Sequence, residues 1–252
     1  MSKKSTPPDT QLLLRHLRDL KLPWVRDNFE PLAVRAAAET WTPVAFLAHL
    51  IEGEHNQRMD RATQRRLRLA RFPVLKTLDA FDWSWPAKIN RAQAQDLFRL
   101  RFVAERHNVL LLGGCGLGKT HLALALGYEA CLRGHSVLYA SAAEITNSLR
   151  TAHAAHQLKA ELKRYLRPDV LLLDELGYIP MDKHDADLLF QVISQRYERG
   201  SIVLTTNKAF KDWPAVFHND ATVTSAILDR LLHHAETLVI EGKSYRMKER
   251  LD

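Results

Sequence analysis

From residue 10 to residue 72 the apolar residues recur with a helical period. Leu13, Leu17 and Leu20 form one stripe, which Pro23 interrupts. Thr42 followed by Pro43 predicts an N-cap with proline in the first turn. The segment VAFLAHLIEGEHNQRMDRATQRRLRLARF then predicts one long helix ending before Pro73. FPVLKTLDAFDWSWP (72–86), rich in aromatics and proline, reads as a connector. Beyond it the pattern changes to short unbroken apolar runs: NVLLL (108–112), SVLYA (136–140), VLLLDE (170–175) and SIVLTTN (201–207). Such runs are buried strands of a parallel sheet. Between them lie the helical KTHLALALGYEACLRG, a helix opened by a Ser141/Glu144 capping box, and a helix from about 182 to 198. A helix near 222–234 and a last strand, TLVIEG, close the pattern. The expected architecture is α/β: a parallel sheet flanked by helices (73–252), preceded by a small all-helical domain (1–72).

The chemistry concentrates where strands meet helices. Gly113, Gly114, Cys115, Gly116, Leu117, Gly118, Lys119 and Thr120 match G-x-x-x-x-G-K-[ST], placed between a strand and a helix. Glycines let backbone N–H groups wrap phosphates, and the helix N-terminus adds the positive end of its dipole. Lys119 is expected to reach the β- and γ-phosphates of ATP and Thr120 to ligate Mg²⁺, with His121 adjoining the site. Asp174 and Glu175 end the LLLDE strand, where they can support Mg²⁺ and polarise the attacking water, respectively. Asn207 ends the next strand and is a candidate partner of the γ-phosphate or that water. The spacing leaves room for a strand to insert between the two motif strands.

P-loop, DE pair and strand-end Asn in this order resemble the AAA+ branch of P-loop ATPases. The strings GKTHLA, LLLDELGYIP, LLFQVISQRYERGS, TTNKAF, AILDRLLHH and SYRMK resemble, more narrowly, the IstB family of insertion-sequence ATP-binding proteins. The DnaC helicase loaders are close relatives of that family. The resemblance implies an AAA+ core whose lid is largely absent, and only 45 residues follow Asn207. It implies a trans-acting arginine finger, with Arg230 the first candidate and Arg196 a further one, and a sensor-like role for Arg246. It also implies assembly into a ring or helical filament, and a transposase as partner; a DnaC-like helicase loader is the alternative. Gly114–Cys115 stand where the family often carries prolines, and both are small enough to keep the grip.

Charge adds a second partner. The chain carries +7, of which residues 1–72 hold +5 (13 Lys/Arg against 8 Asp/Glu). On a helix Arg58, Arg61, Arg65 and Arg68 share a stripe, with Arg66 and Arg71 to either side, an arrangement suited to the phosphate backbone of double-stranded DNA. The alternative is a solvated face paired with acids. Trp83 and Trp85 are candidates for base stacking, for packing or for adenine contact. His233 and His234 are neighbours that a continuing helix would turn apart, so no metal site is expected there. Two cysteines, Cys115 and Cys131, outside any CxxC or Cys/His cluster, no apolar leader and no membrane-length run fit a cytoplasmic protein without a membrane partner.

Overall fold

The computed structural model describes residues 8–245, which divide into two compact units, with the boundary between Gln64 and Arg65. The first contains α1 (Pro8–Asp19), α2 (Pro23–Ala38) and most of α3 (Pro43–Ala70). As expected, Thr42 caps α3, its hydroxyl accepting from the Ala45 N–H at 3.2 Å. Of the leucine stripe only Leu17 is buried, against Val25 and Leu50; Leu13 and Leu20 are exposed. The buried Glu54 carboxylate accepts from the Trp24 and Val25 N–H groups at 2.9 and 3.2 Å, satisfying the first donors of α2.

The boundary falls eight residues before the composition shift at 72, for a packing reason. Leu67 and Ala70, in the last turns of α3, join the hydrophobic cluster of the second unit. Arg66 Nε donates to the Cys131 carbonyl at 2.9 Å.

The second unit continues through β1 (Lys88–Ile89), α4 (Arg91–Leu97), α5 (Arg101–Ala104), β2 (Asn108–Gly113), α6 (Lys119–Leu132) and β3 (Val137–Ser141). Next come α7 (Ala142–Ala154), α8 (Leu158–Leu166), β4 (Val170–Leu176), α9 (Lys183–Arg196) and β5 (Ser201–Thr206). A short α10 (Trp213–Val216), α11 (Ala221–Leu232) and β6 (Ala235–Glu241) complete it. Among the described residues one six-stranded sheet forms, in the order β1-β6-β2-β5-β4-β3. All pairs are parallel except β1 with β6. The expected insertion is realised: β5 lies between β2 and β4.

Alternate side chains of each strand enter opposite layers. Leu110, Leu171 and Leu204 pack with α7, α9 and α11, while Val109, Leu172 and Val203 pack with α4 and α6. A sheet buried on both faces needs apolar residues at every position, which is why these strands read as unbroken apolar runs.

Candidate nucleotide site

Parallel strands put their C-terminal ends on one edge, so β2, β4 and β5 deliver the P-loop, the acidic pair and Asn207 to the same side. The loop is tightly enclosed. Gly116 and Gly118 have φ of +74° and +86°, and a Cβ would lie 2.0 Å from Ser244 Oγ in the first case and 2.6 Å from the Phe81 ring in the second. Only glycine permits both the conformation and this approach. Lys119, nearly buried, donates from Nζ to the Gly114 carbonyl at 2.7 Å, folding its ammonium back over the loop.

Asp174 is 2% exposed and joins three elements. Its Oδ1 accepts from Thr120 Oγ1 at 3.0 Å and from the Thr205 hydroxyl, and its Oδ2 accepts from Tyr139 OH at 2.9 Å. Burial, followed by the Asp174 charge, pushes the Tyr139 phenol well above its ordinary range, which keeps it a proton donor. These oxygens, a hydroxyl and a carboxylate on adjoining elements, are the donor chemistry a hard divalent cation selects.

Glu175 is exposed and takes φ +59°, at an irregularity in β4–β5 pairing between Leu173 and Leu176. Its backbone N–H donates to Thr205 Oγ1 at 2.9 Å. The carboxylate is thereby free of the core while the backbone stays fixed. Asn207 reaches the P-loop itself, with Nδ2 3.7 Å from Cys115 Sγ.

The connector lines a cavity of about 480 Å³ beside the P-loop, bordered by Phe81, Trp85, Pro86, Leu117, His121 and Tyr245. An aromatic, flat-walled space next to a phosphate loop suits a nucleobase. Trp85 meets Tyr245 edge-on at 5.6 Å and donates to the Lys243 carbonyl at 3.0 Å. His121 Nε2–H donates to the Thr77 carbonyl at 2.9 Å, and burial holds its pKa below the usual range. Trp83 packs against Phe81 at 4.8 Å, with the Arg91 guanidinium 5.1 Å over its ring. Tyr139, Thr205, Ser244 and Tyr245 are the residues that sequence reasoning missed. The strings SVLYA, TTNKAF and SYRMK contain them, but none assigned them a role at the site.

The arginines separate. Arg196 is 1% exposed and donates to the carbonyls of Tyr165, Pro168, Asp169 and Ser201 at 2.8–3.1 Å. A guanidinium caged in this way cannot reach a neighbour's phosphate, so Arg196 is a core residue and not a finger. Arg230 is half-buried on α11, stacked 5.1 Å from the Phe190 ring and donating to the Ala226 carbonyl. Its own carbonyl accepts from Asn108 Nδ2 at 3.4 Å, at the start of β2. The P-loop begins at the other end of that strand, roughly 16 Å away at about 3.3 Å per residue. Arg246 lies outside the described residues.

Arg61, Arg65 and Arg68 on α3, and Arg71 just past its end, are exposed. Arg58 is engaged by Glu54 at 3.0 Å and the Lys21 carbonyl at 2.5 Å, and Arg66 by the end of α6. The expectation that His233 and His234 point apart also fails: α11 stops at Leu232, and the two rings lie 4.0 Å apart.

The sequence profile of the IstB-like ATP binding proteins matches residues 15–252. An ATP-binding protein by name, of insertion sequence IS21 from Pseudomonas aeruginosa, is 42% identical over 93% of this chain and 88% of its own. One of insertion sequence IS5376 from Geobacillus stearothermophilus is 36% identical over 92% of each chain. The fold is similar to the crystal structure of the DnaC helicase loader (TM-score 0.53, 23% identity), covering 66% of this chain and 96% of that one. No helix among the described residues is long and apolar enough to cross a membrane. A P-loop with an aromatic-walled cavity beside it, and a family match running from residue 15 onward, lead to one conclusion: the chain belongs to the IstB-like ATP-binding proteins.

Proposed function

We propose that the protein is an ATPase that assembles on double-stranded DNA and presents it to a transposase, without choosing the DNA by sequence. The observation that carries the ATPase reading is the meeting of Lys119, Thr120, Asp174, Glu175 and Asn207 on one sheet edge. Lys119 exchanges the Gly114 carbonyl for the β- and γ-phosphates. Thr120 and Asp174 would hold Mg²⁺, and the ion would supply positive charge against the phosphates. Glu175 orients the attacking water and draws its proton, and Asn207 hydrogen-bonds the γ-phosphate or that water.

Arg230 supplies the remaining positive charge to the site of a second copy. Its place on α11, beside the start of β2 and away from its own P-loop, supports action in trans, and a finger of this kind is worth about 10³–10⁵ in rate. Hydrolysis then requires a ring or helical filament. The exposed Arg61, Arg65, Arg68 and Arg71 bind phosphates, giving affinity without base readout. The relatives are named as insertion-sequence proteins, which supports a transposase as partner.

The test is sedimentation and binding of purified protein with duplex and single-stranded DNA of equal length, with ATP, ADP or no nucleotide. The reading expects ATP-dependent, salt-sensitive assembly on duplex, lost in Lys119→Ala. A monomer that prefers single strands and engages a hexameric helicase would overturn it in favour of a helicase loader.

A further inference from the structure

We propose that Glu198, His233 and His234 bind one divalent transition metal ion, Zn²⁺ foremost, at a site separate from the nucleotide. Each of the three offers a ligand atom, and these atoms all lie within 4.8 Å of one another. The residues come from two turns, one between α9 and β5 and the other between α11 and β6. Two imidazoles and a carboxylate with a remaining open position form a donor set that Zn²⁺ takes readily, while Mg²⁺ and Ca²⁺ prefer oxygen alone.

The surrounding contacts are those of a built site. Tyr197 OH lies 2.5 Å from His233 Nδ1, so in the proposed site Nε2 ligates the metal and Nδ1–H donates to the phenol oxygen. An outer hydrogen bond of this sort fixes the tautomer and ring direction of a metal-bound histidine. His234 stacks on His107 at 5.1 Å with the planes 8° apart, and its Nε2 lies 3.8 Å from Glu198 Oε1.

The backbones are held as well. Arg106 donates to the Glu198 carbonyl at 3.0 Å, and the Asn108 N–H donates to that of His234 at 2.8 Å. Glu198 itself stands at φ +57°, a conformation that a non-glycine residue adopts only when its surroundings impose it. A metal here would tie the end of α11, three residues beyond Arg230, to the turn that precedes β5.

Untagged full-length protein, free of nucleotide, is titrated with ZnCl₂ by calorimetry and with CoCl₂ by visible absorption. One ion per chain is expected, with a tetrahedral Co²⁺ spectrum. His233→Ala, His234→Ala and Glu198→Gln should each weaken binding at least about tenfold, and Tyr197→Phe by roughly tenfold through the outer hydrogen bond. His153→Ala, from the separate His153–His184 pair, should leave the affinity unchanged. Absence of binding, or binding indifferent to Glu198→Gln and to both histidine variants, would overturn the proposal. Circular dichroism of each variant separates lost ligands from lost fold.

Discussion

Thr120 Oγ1 donates to Asp174 Oδ1 across 3.0 Å, joining the first turn of α6 to the end of β4. Two side chains 54 positions apart in sequence are thus held in hydrogen-bond contact. The same carboxylate also receives Tyr139 and Thr205, so it organises three parts of the sheet edge as well as facing the loop.

That double role predicts a double defect in Asp174→Ala. Buried hydroxyls that lose their acceptor cost about 1–3 kcal/mol, so the variant should unfold at lower denaturant concentration and also lose Mg²⁺-dependent hydrolysis. Thr120→Val removes one donor and should keep most of the stability while impairing hydrolysis. Urea titration alongside a phosphate-release assay measures both.

Glu175→Gln should separate binding from turnover. Its side chain is exposed, and among the described residues no hydrogen bond ties the carboxylate to the core, so nucleotide affinity should stay near wild type. Hydrolysis should fall by roughly 10²–10⁴, the usual worth of a general base. Equilibrium binding of a fluorescent ATP analogue, compared with single-turnover hydrolysis, gives the two numbers.

Arg196→Met keeps the volume but strips charged donors from four carbonyls, and should destabilise the protein by about 3–5 kcal/mol. The folded fraction should still hydrolyse ATP when assembled. Arg230→Ala is expected to behave oppositely, with nearly unchanged stability and lost hydrolysis. Mixing Arg230→Ala with Lys119→Ala protein should restore part of the activity if the finger acts between copies.

The two cysteines should differ sharply. Cys115 is exposed in the P-loop and should be modified quickly by a thiol reagent, with ATP slowing the reaction. Burial pushes the Cys131 thiol from 9.0 up to about 11, so it should react only on unfolding. Between those values the unfolded chain has lost a proton that the folded chain retains, so stability falls as pH rises through the window. The Cys131→Ala variant should lack that part of the slope when the two unfolding curves are compared across pH 9 to 11.

Arg65→Ala/Arg68→Ala should weaken duplex binding uniformly across sequences and reduce the salt slope by about two. Arg58→Ala and Arg66→Ala should act chiefly on stability, because their side chains already serve Glu54 and the Cys131 carbonyl. Binding isotherms at several salt concentrations, with melting curves, distinguish the pairs.

Much of this was legible in the sequence because a doubly covered parallel sheet writes its strands as continuous apolar runs, and because a phosphate loop demands glycines at fixed intervals. The two-residue β1 was not, since it exists only by pairing with β6. Thr205 and Tyr139 could not be assigned to Asp174 without the strand order, which local pattern does not encode. Composition changes at residue 72, whereas the compact units divide at Gln64/Arg65, within α3, where packing changes. A helical period sets His233 and His234 apart only if it is carried two residues beyond Leu232, where the helix ends.

Glu175, held at φ +59°, has an evolutionary consequence. A left-handed backbone at a residue other than glycine is held against a penalty on the order of 1–3 kcal/mol, and glycine or asparagine would relieve it. Natural variation at this position should therefore act as a record of use. In lineages where hydrolysis still matters the acid should persist against the pull of stability. In copies whose element has fallen silent it should be among the early residues to drift toward glycine or asparagine, ahead of the neighbouring core.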